Sequence, residues 1–257
     1  MSPKPLSKSL YAVWTTLVAL TLAGCMEATS GGLVLTRSGA TSQDESEASD
    51  DVSRTLQANV TSAIADGQSM ITVRMTLRSS TGAPLLNRRV AVDTDRGGAD
   101  TFTPSETQTG LDGEAVFTLV STDVGDANIQ AYLPDISQDP VEVLAVTFVA
   151  GPPDEVASSV DASSATSAVG THQTVTVTLR DALGHALGDR PVTLTSSNAG
   201  SDTITPLSTL TDPVTGAIAF DVVSSGSGCS TYSAVAAATG TAITSVAMIA
   251  YGAATCP

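Results

Sequence analysis

The 257-residue chain carries 26 acidic and 11 basic residues, a formal charge of −15 at neutral pH. A surface of that sign repels phosphate backbones and anionic lipid headgroups, which excludes nucleic-acid binding and membrane adsorption through basic residues. Hydrophobic residues make up 42% of the chain but aromatic ones only 4%, so any core is filled mainly by Val, Leu, Ile and Ala, and a chain of this length holds one or two domains.

At the N-terminus, Lys4 and Lys8 precede an apolar run from Leu10 to Leu22. This is the pattern of a signal peptide over residues 1–24, and the run is shorter than the ~20 residues a helix needs to cross hydrocarbon. It closes with Leu22-Ala23-Gly24-Cys25, which resembles the lipobox of bacterial lipoproteins. The resemblance implies cleavage before Cys25, palmitate-type acylation of that residue and attachment to a membrane through lipid. An ordinary secretory signal with an incidental cysteine is the alternative. Without residues 1–24 the chain keeps nine arginines, no lysine and all 26 acidic residues, a formal charge of −17, so the acyl chains must supply the anchor. Met26 is not the aspartate associated with inner-membrane retention in enterobacterial lipoproteins, which favours the outer membrane in a Gram-negative host.

From Met26 to about Val52 the chain is rich in Ser, Thr, Gly, Ala and acidic residues, including Gln43-Asp44-Glu45-Ser46-Glu47 and Asp50-Asp51. Such a stretch buries too little apolar area to offset the entropy of ordering it, so residues 25–52 are expected to be a lipidated, disordered tether with a reach on the order of 30 Å.

Beyond the tether a period of two sets in. Ile71, Val73, Met75 and Leu77 alternate with Thr72, Arg74, Thr76 and Arg78, the signature of a strand with one buried face. Displaced by 102 positions, Val175, Val177 and Leu179 alternate with Thr and Arg. Arg89-Val90-Ala91-Val92 matches Pro191-Val192-Thr193-Leu194, and Asp100-Thr101-Phe102-Thr103-Pro104 matches Asp202-Thr203-Ile204-Thr205-Pro206. After a one-residue insertion, the stretch from Gly113 to Leu119 matches that from Gly216 to Val222. Turn signals such as Asp66-Gly67, Thr81-Gly82, Asp112-Gly113 and Thr215-Gly216 leave room for about seven strands per unit, which predicts an all-β fold of two tandem β-sandwiches. The expected domains are 53–151 and 152–257, joined by the proline hinge Gly151-Pro152-Pro153-Asp154 and standing in line.

These units resemble the bacterial Ig-like domain type 1 repeats of the intimin and invasin adhesins. The resemblance lies in Ala65-Asp66-Gly67-Gln68 before the alternating strand, the turn Gly82-Ala83-Pro84-Leu85, the stretch from Thr109 through Gly113 and Ala115 to Phe117, and the closing strand Val146-Thr147-Phe148-Val149-Ala150. It implies immunoglobulin-like sandwiches used as a stalk or adhesion module in the cell envelope, with a protein or glycan partner. It assigns no receptor-contacting residue. No barrel segment precedes the repeats and no lectin-like domain follows them in this sequence.

Cys229 and Cys256 remain after Cys25 is assigned to lipid. Their midpoint falls near the turn-like Thr239-Gly240-Thr241, so a hairpin centred there places them opposite one another as a structural disulfide in an exported protein, rather than in a redox or metal role. His172 and His185 lack the accompanying ligands of a zinc site and are expected on the surface. Asp93, Asp95 and Asp100 form an oxygen-rich loop that lacks the terminal Glu of a calcium loop, and it is expected to be solvated, with a calcium site between the domains as the alternative. There is no nucleophile elbow, no phosphate-binding fingerprint and no carboxylate pair in a cleft, so neither catalysis nor a cofactor is expected. The functional expectation is a lipid-anchored envelope protein at the outer membrane or cell surface, with a periplasm-facing partner-binding subunit as the alternative.

Overall fold

The computed structural model describes residues 52–256. The signal peptide, Cys25 and the tether as far as Asp51 lie outside the described residues, as does Pro257. Where the period of two was read, the chain is extended: Ile71, Val73, Met75 and Leu77 are buried on one face while Arg74 and Arg78 are exposed on the other. All the regular elements among the described residues are strands.

The first sandwich contains β1 (Ser53–Ala58), β2 (Ser62–Ile64), β3 (Ile71–Arg78), β4 (Arg89–Thr94), β5 (Asp100–Thr103), β6 (Glu106–Gln108), β7 (Glu114–Ser121), β8 (Gly125–Tyr132) and β9 (Glu142–Val149). One sheet has the order β1-β3-β7-β5 and the other β2-β9-β8-β4-β6. The second sandwich contains β10 (Ser159–Ala162), β11 (Thr166–Ser167), β12 (Gln173–Thr178), β13 (Val192–Ser196), β14 (Asp202–Pro206), β15 (Ala217–Ser224), β16 (Gly228–Ala236), β17 (Thr241–Ala242) and β18 (Ala247–Tyr251). Its sheets are β10-β12-β15-β14 and β11-β18-β16-β13, with β17 also on β16.

Each unit therefore has nine strand segments instead of about seven. The excess has a simple cause. The first strand of each unit crosses between sheets, so β1 pairs antiparallel with β3 while its continuation β2 pairs parallel with β9, and β10 and β11 repeat the manoeuvre on β12 and β18. The segments after β5 and after Ala236 are likewise short pairings that a strict alternation does not reveal.

Two separate cores result. Met75, Leu77, Phe117, Leu119, Ile129 and Phe148 fill the first, and Val177, Leu179, Phe220, Tyr232, Ile249 and Tyr251 the second. The two tyrosines in the second core bring polar groups inside, and they satisfy one another through their hydroxyls at 3.1 Å. Burial pushes the Tyr232 hydroxyl far above its ordinary value, with Tyr251 and Asp202 acting in the same direction, so it serves as a neutral donor.

Equivalent corners close the same end of both units. Gly113 and Gly216 have φ of 76° and 70°. A Cβ at either would lie 2.5 Å from the carbonyl oxygen of Leu77 or Leu179, so the turn needs glycine for conformation and for space. Beside them, the buried hydroxyls of Thr109 and Thr211 donate to the carbonyls of Leu85 and Leu187 at 2.5 and 2.6 Å and accept the backbone N–H of Arg88 and Arg190 at 3.0 Å. One threonine thus ties the turn after β3 or β12 to the segment entering β7 or β15.

Candidate functional site

The ends of the two sandwiches that meet follow from strand direction. In the first, Thr122 directly follows β7 and lies at the opposite end from the Gly113 corner where β7 begins. In the second, residues 181–187 follow β12 and belong to the Gly216 corner, because Leu179 N–H donates to the Gly216 carbonyl at 2.9 Å. The far end of one unit therefore abuts the corner of the next, end to end.

At this junction Nε2 of His185 lies 2.9 Å from the carbonyl oxygen of Thr122, and Nδ1 lies 2.8 Å from Oδ2 of Asp181. The same Oδ2 accepts the N–H of Gly151 at 2.8 Å, while Oδ1 accepts the N–H groups of Leu183 and His185 at 3.1 and 2.9 Å. Burial opposes charge on Asp181, but the hydrogen bonds from Gly151 and His185 outweigh it and hold the carboxyl below its ordinary value. His185 was expected on the surface, and this is a correction: its side chain is only 16% exposed and the Asp181 side chain 5%. His172, in contrast, is 67% exposed, with Nδ1 2.7 Å from Oδ2 of Asp221.

The proline segment between the units is pinned. Asp154 N–H donates to the Arg180 carbonyl at 2.8 Å, and its carboxylate caps the N–H groups of Val156 and Ala157 at 2.9 and 2.8 Å. Buried Ser158 exchanges hydrogen bonds with the backbone of Arg180, and Thr244 N–H donates to the Glu155 carbonyl at 2.9 Å. A groove of ≈ 300 Å³ runs beside the linker, lined mainly by apolar groups from Ile64, Val149, Pro152, Pro191 and Ala236, with Arg190 at its edge.

Two further features lie near the ends of strands. Asp100, expected in a solvated loop, is another correction. Its side chain is only 1% exposed, and it accepts from Arg96 Nη2 at 2.6 Å, Arg96 Nε at 3.1 Å and Thr94 Oγ1 at 2.7 Å. Burial again opposes the charge, and Arg96, Ser121 and Thr94 together keep the carboxyl below its ordinary value. Asp95 instead engages the backbone N–H and side-chain amide of Asn128 at 2.9 and 2.7 Å, and Asp93 caps Thr94 N–H. The three carboxylates thus do not converge on one point: Asp93 and Asp100 take different groups of Thr94, and Asp95 takes Asn128. Among the described residues no group of three or more His, Cys, Asp or Glu side chains is placed to hold a metal ion.

Cys229 and Cys256 are bonded, with a Cα–Cα distance of 5.6 Å. The geometry differs from a hairpin with the two cysteines opposite one another. The cross-strand partner of Cys229 is Ala250, and β18 ends at Tyr251. The chain then turns through Gly252, whose φ is 73°, and brings Cys256 back to β16.

Residues 53–149 match the family described as bacterial Ig-like domain (group 1). The first sandwich is thus similar to the bacterial Ig-like domains of group 1. The Ig-like fold extends over both units: invasin, described as a bacterial integrin-binding protein, superposes with a TM-score of 0.59 at 23% identity over 79% of this chain and 41% of its own. The Escherichia coli adhesin FdeC gives 0.56 at 18% identity, covering 80% of this chain and 67% of its own. Yersinia pseudotuberculosis InvD gives 0.53 at 19%, covering 79% and 60%. This Ig-like chain thus spans less than half the length of invasin. No curated protein matches it by sequence.

The junction was not found from sequence. The one available signal was a departure within the repeat: His185 and Asp181 stand where the first unit has Ala83 and Ser79. The small, backbone-supplied partners Gly151 and Thr122 carry no signal of their own.

Proposed function

We propose that the protein is a lipid-anchored component of the bacterial cell envelope that displays two coupled Ig-like sandwiches as a non-enzymatic spacer or adhesion module. The observation that carries this reading is the junction. A flexible pair of domains needs no contacts beyond its linker, whereas here Thr122 of the first sandwich is held by His185 of the second, beside the bond from Gly151 to Asp181, which favours projection over a distance. The group 1 match supports an adhesion or binding role. Cys25 is the proposed site of the acyl anchor, the residues before it the export signal, and the acidic stretch up to Val52 the tether. The outer membrane is the proposed location, and a protein or glycan the proposed partner.

Intact cells carrying an epitope on the second sandwich provide the test. Digestion of the epitope by added protease supports surface display. Full protection until the outer membrane is permeabilised removes it and leaves the periplasm-facing subunit as the reading.

A further inference from the structure

His185 sits between two oxygens, and the chemistry of those oxygens fixes what the ring must supply. The Thr122 carbonyl only accepts, so the 2.9 Å contact requires a hydrogen on Nε2. Asp181 takes the N–H groups of Gly151, Leu183 and His185 on its two oxygens, so it too acts only as an acceptor, and the 2.8 Å contact requires a hydrogen on Nδ1. A neutral imidazole has one N–H and meets only one of these demands. The imidazolium meets both.

We propose that His185 is a proton-operated latch between the two sandwiches: as imidazolium it clamps Asp181 of its own loop to Thr122 of the first sandwich, and loss of one proton to water opens the clamp on the Thr122 side. The proton leaves from Nε2, because the carboxylate of Asp181 stabilises a hydrogen kept on Nδ1 while a carbonyl offers less. Nε2 then presents a lone pair to the Thr122 carbonyl oxygen, and the contact turns repulsive. The Gly151 hydrogen bond to Asp181 does not depend on that proton and survives, so the units stay tethered but lose their second point of attachment.

The neighbouring charged groups are engaged elsewhere. The Arg180 guanidinium, on the same loop, donates to the Gly184 carbonyl at 2.7 Å. The Asp154 carboxylate, in the linker, caps Val156 and Ala157. Asp123, next to Thr122, is held there through its main chain, its backbone carbonyl accepting from Arg96 Nη1 at 3.2 Å and its N–H donating to Ser121 Oγ at 3.1 Å. Asp181 is thus the charged group in contact with the ring.

The sign follows from proton counting. The closed latch binds one proton more than the open one, so rising pH favours opening. Asp181, held below its ordinary carboxylate value, loses its acceptor role only in stronger acid. The latch is therefore firmest in mild acid and loosens toward mildly alkaline pH.

The test uses the chain from residue 25 onward with Cys25→Ser, which leaves the described residues unchanged. Its two histidines, His172 and His185, are labelled with 15N, and ring shifts are recorded from mild acid to mildly alkaline pH together with backbone relaxation of both sandwiches. The expected result is two protonated ring nitrogens on His185 in mild acid, with the sandwiches tumbling together, and partial decoupling as the ring neutralises. In His185→Gln the relaxation loses its pH dependence while each sandwich keeps its melting temperature; in His172→Gln the pH dependence persists. A neutral His185 throughout, or interdomain motion indifferent to its titration, would overturn the latch without touching the proposed display role.

Discussion

Asp100 and Asp202 occupy the same place in the two repeats, yet only Asp100 meets a cation. Arg96 reaches Asp100 with two nitrogens and lies over the Phe148 ring, 5.3 Å from its centroid. At the matching position the second unit has Asn198, whose amide is spent on the Cys229 carbonyl. Asp202 rests instead among hydroxyls, accepting from Ser196 and Tyr232. Its carboxyl is also held low, with burial opposing and the surrounding hydroxyls prevailing.

This difference predicts opposite tolerance of one substitution. Asp100→Asn leaves Arg96 facing an amide in a nearly closed site and is expected to destabilise the first sandwich by about 2 to 4 kcal/mol. Asp202→Asn is expected to cost under about 1 kcal/mol, because hydroxyls can accept from the new amide as readily as they donate. Hydrogen exchange resolved to each sandwich reads both values.

The same site sets an acid dependence. With the folded carboxyl of Asp100 below the ordinary 3.8, its stabilisation is complete above that value and drains away as pH falls through the lower, folded value. Acid unfolding of the first sandwich should therefore become less steep in Asp100→Asn, measured relative to the same variant at neutral pH. An unchanged slope would exclude Asp100 as the responsible group.

Closing the loop between Cys229 and Cys256, 27 residues apart in sequence, is expected to stabilise the second sandwich by about 3 to 4 kcal/mol on the chain-entropy estimate. Denaturant unfolding of Cys229→Ser/Cys256→Ser should show that loss in the second transition, with the first unmoved.

The corner threonines give a paired test of the repeat. Thr109→Val and Thr211→Val each remove one donor and one acceptor from a buried site, and each is expected to cost about 1 to 3 kcal/mol in its own sandwich. Similar losses in both would show that the corner is the same device used twice.

Much of the fold was legible because burial in a sandwich writes itself on alternate residues. The faces of β3 and β12 could be read from Ile71 to Leu77 and from Val175 to Leu179, and their 102-residue offset exposed the repeat. The crossing from β1 into β2 was not legible, since the three-residue pairing of β2 leaves no period. Nor was the junction: His185 and Thr122 are 63 residues apart, and one partner is a backbone carbonyl that any residue supplies. The spacing of Cys229 and Cys256 suggested a pair, but the return turn at Gly252 that unites them depends on where β18 stops.

Beneath all of this lies the claim that the sandwiches are held to a membrane by lipid at Cys25. Intact-mass and peptide spectrometry of the mature protein purified from membranes decides it: an N-terminus at Cys25 bearing acyl mass, lost together with membrane association in Cys25→Ala, is the expected result. A mature chain that starts elsewhere, or a Cys25 that carries no lipid, would contradict it.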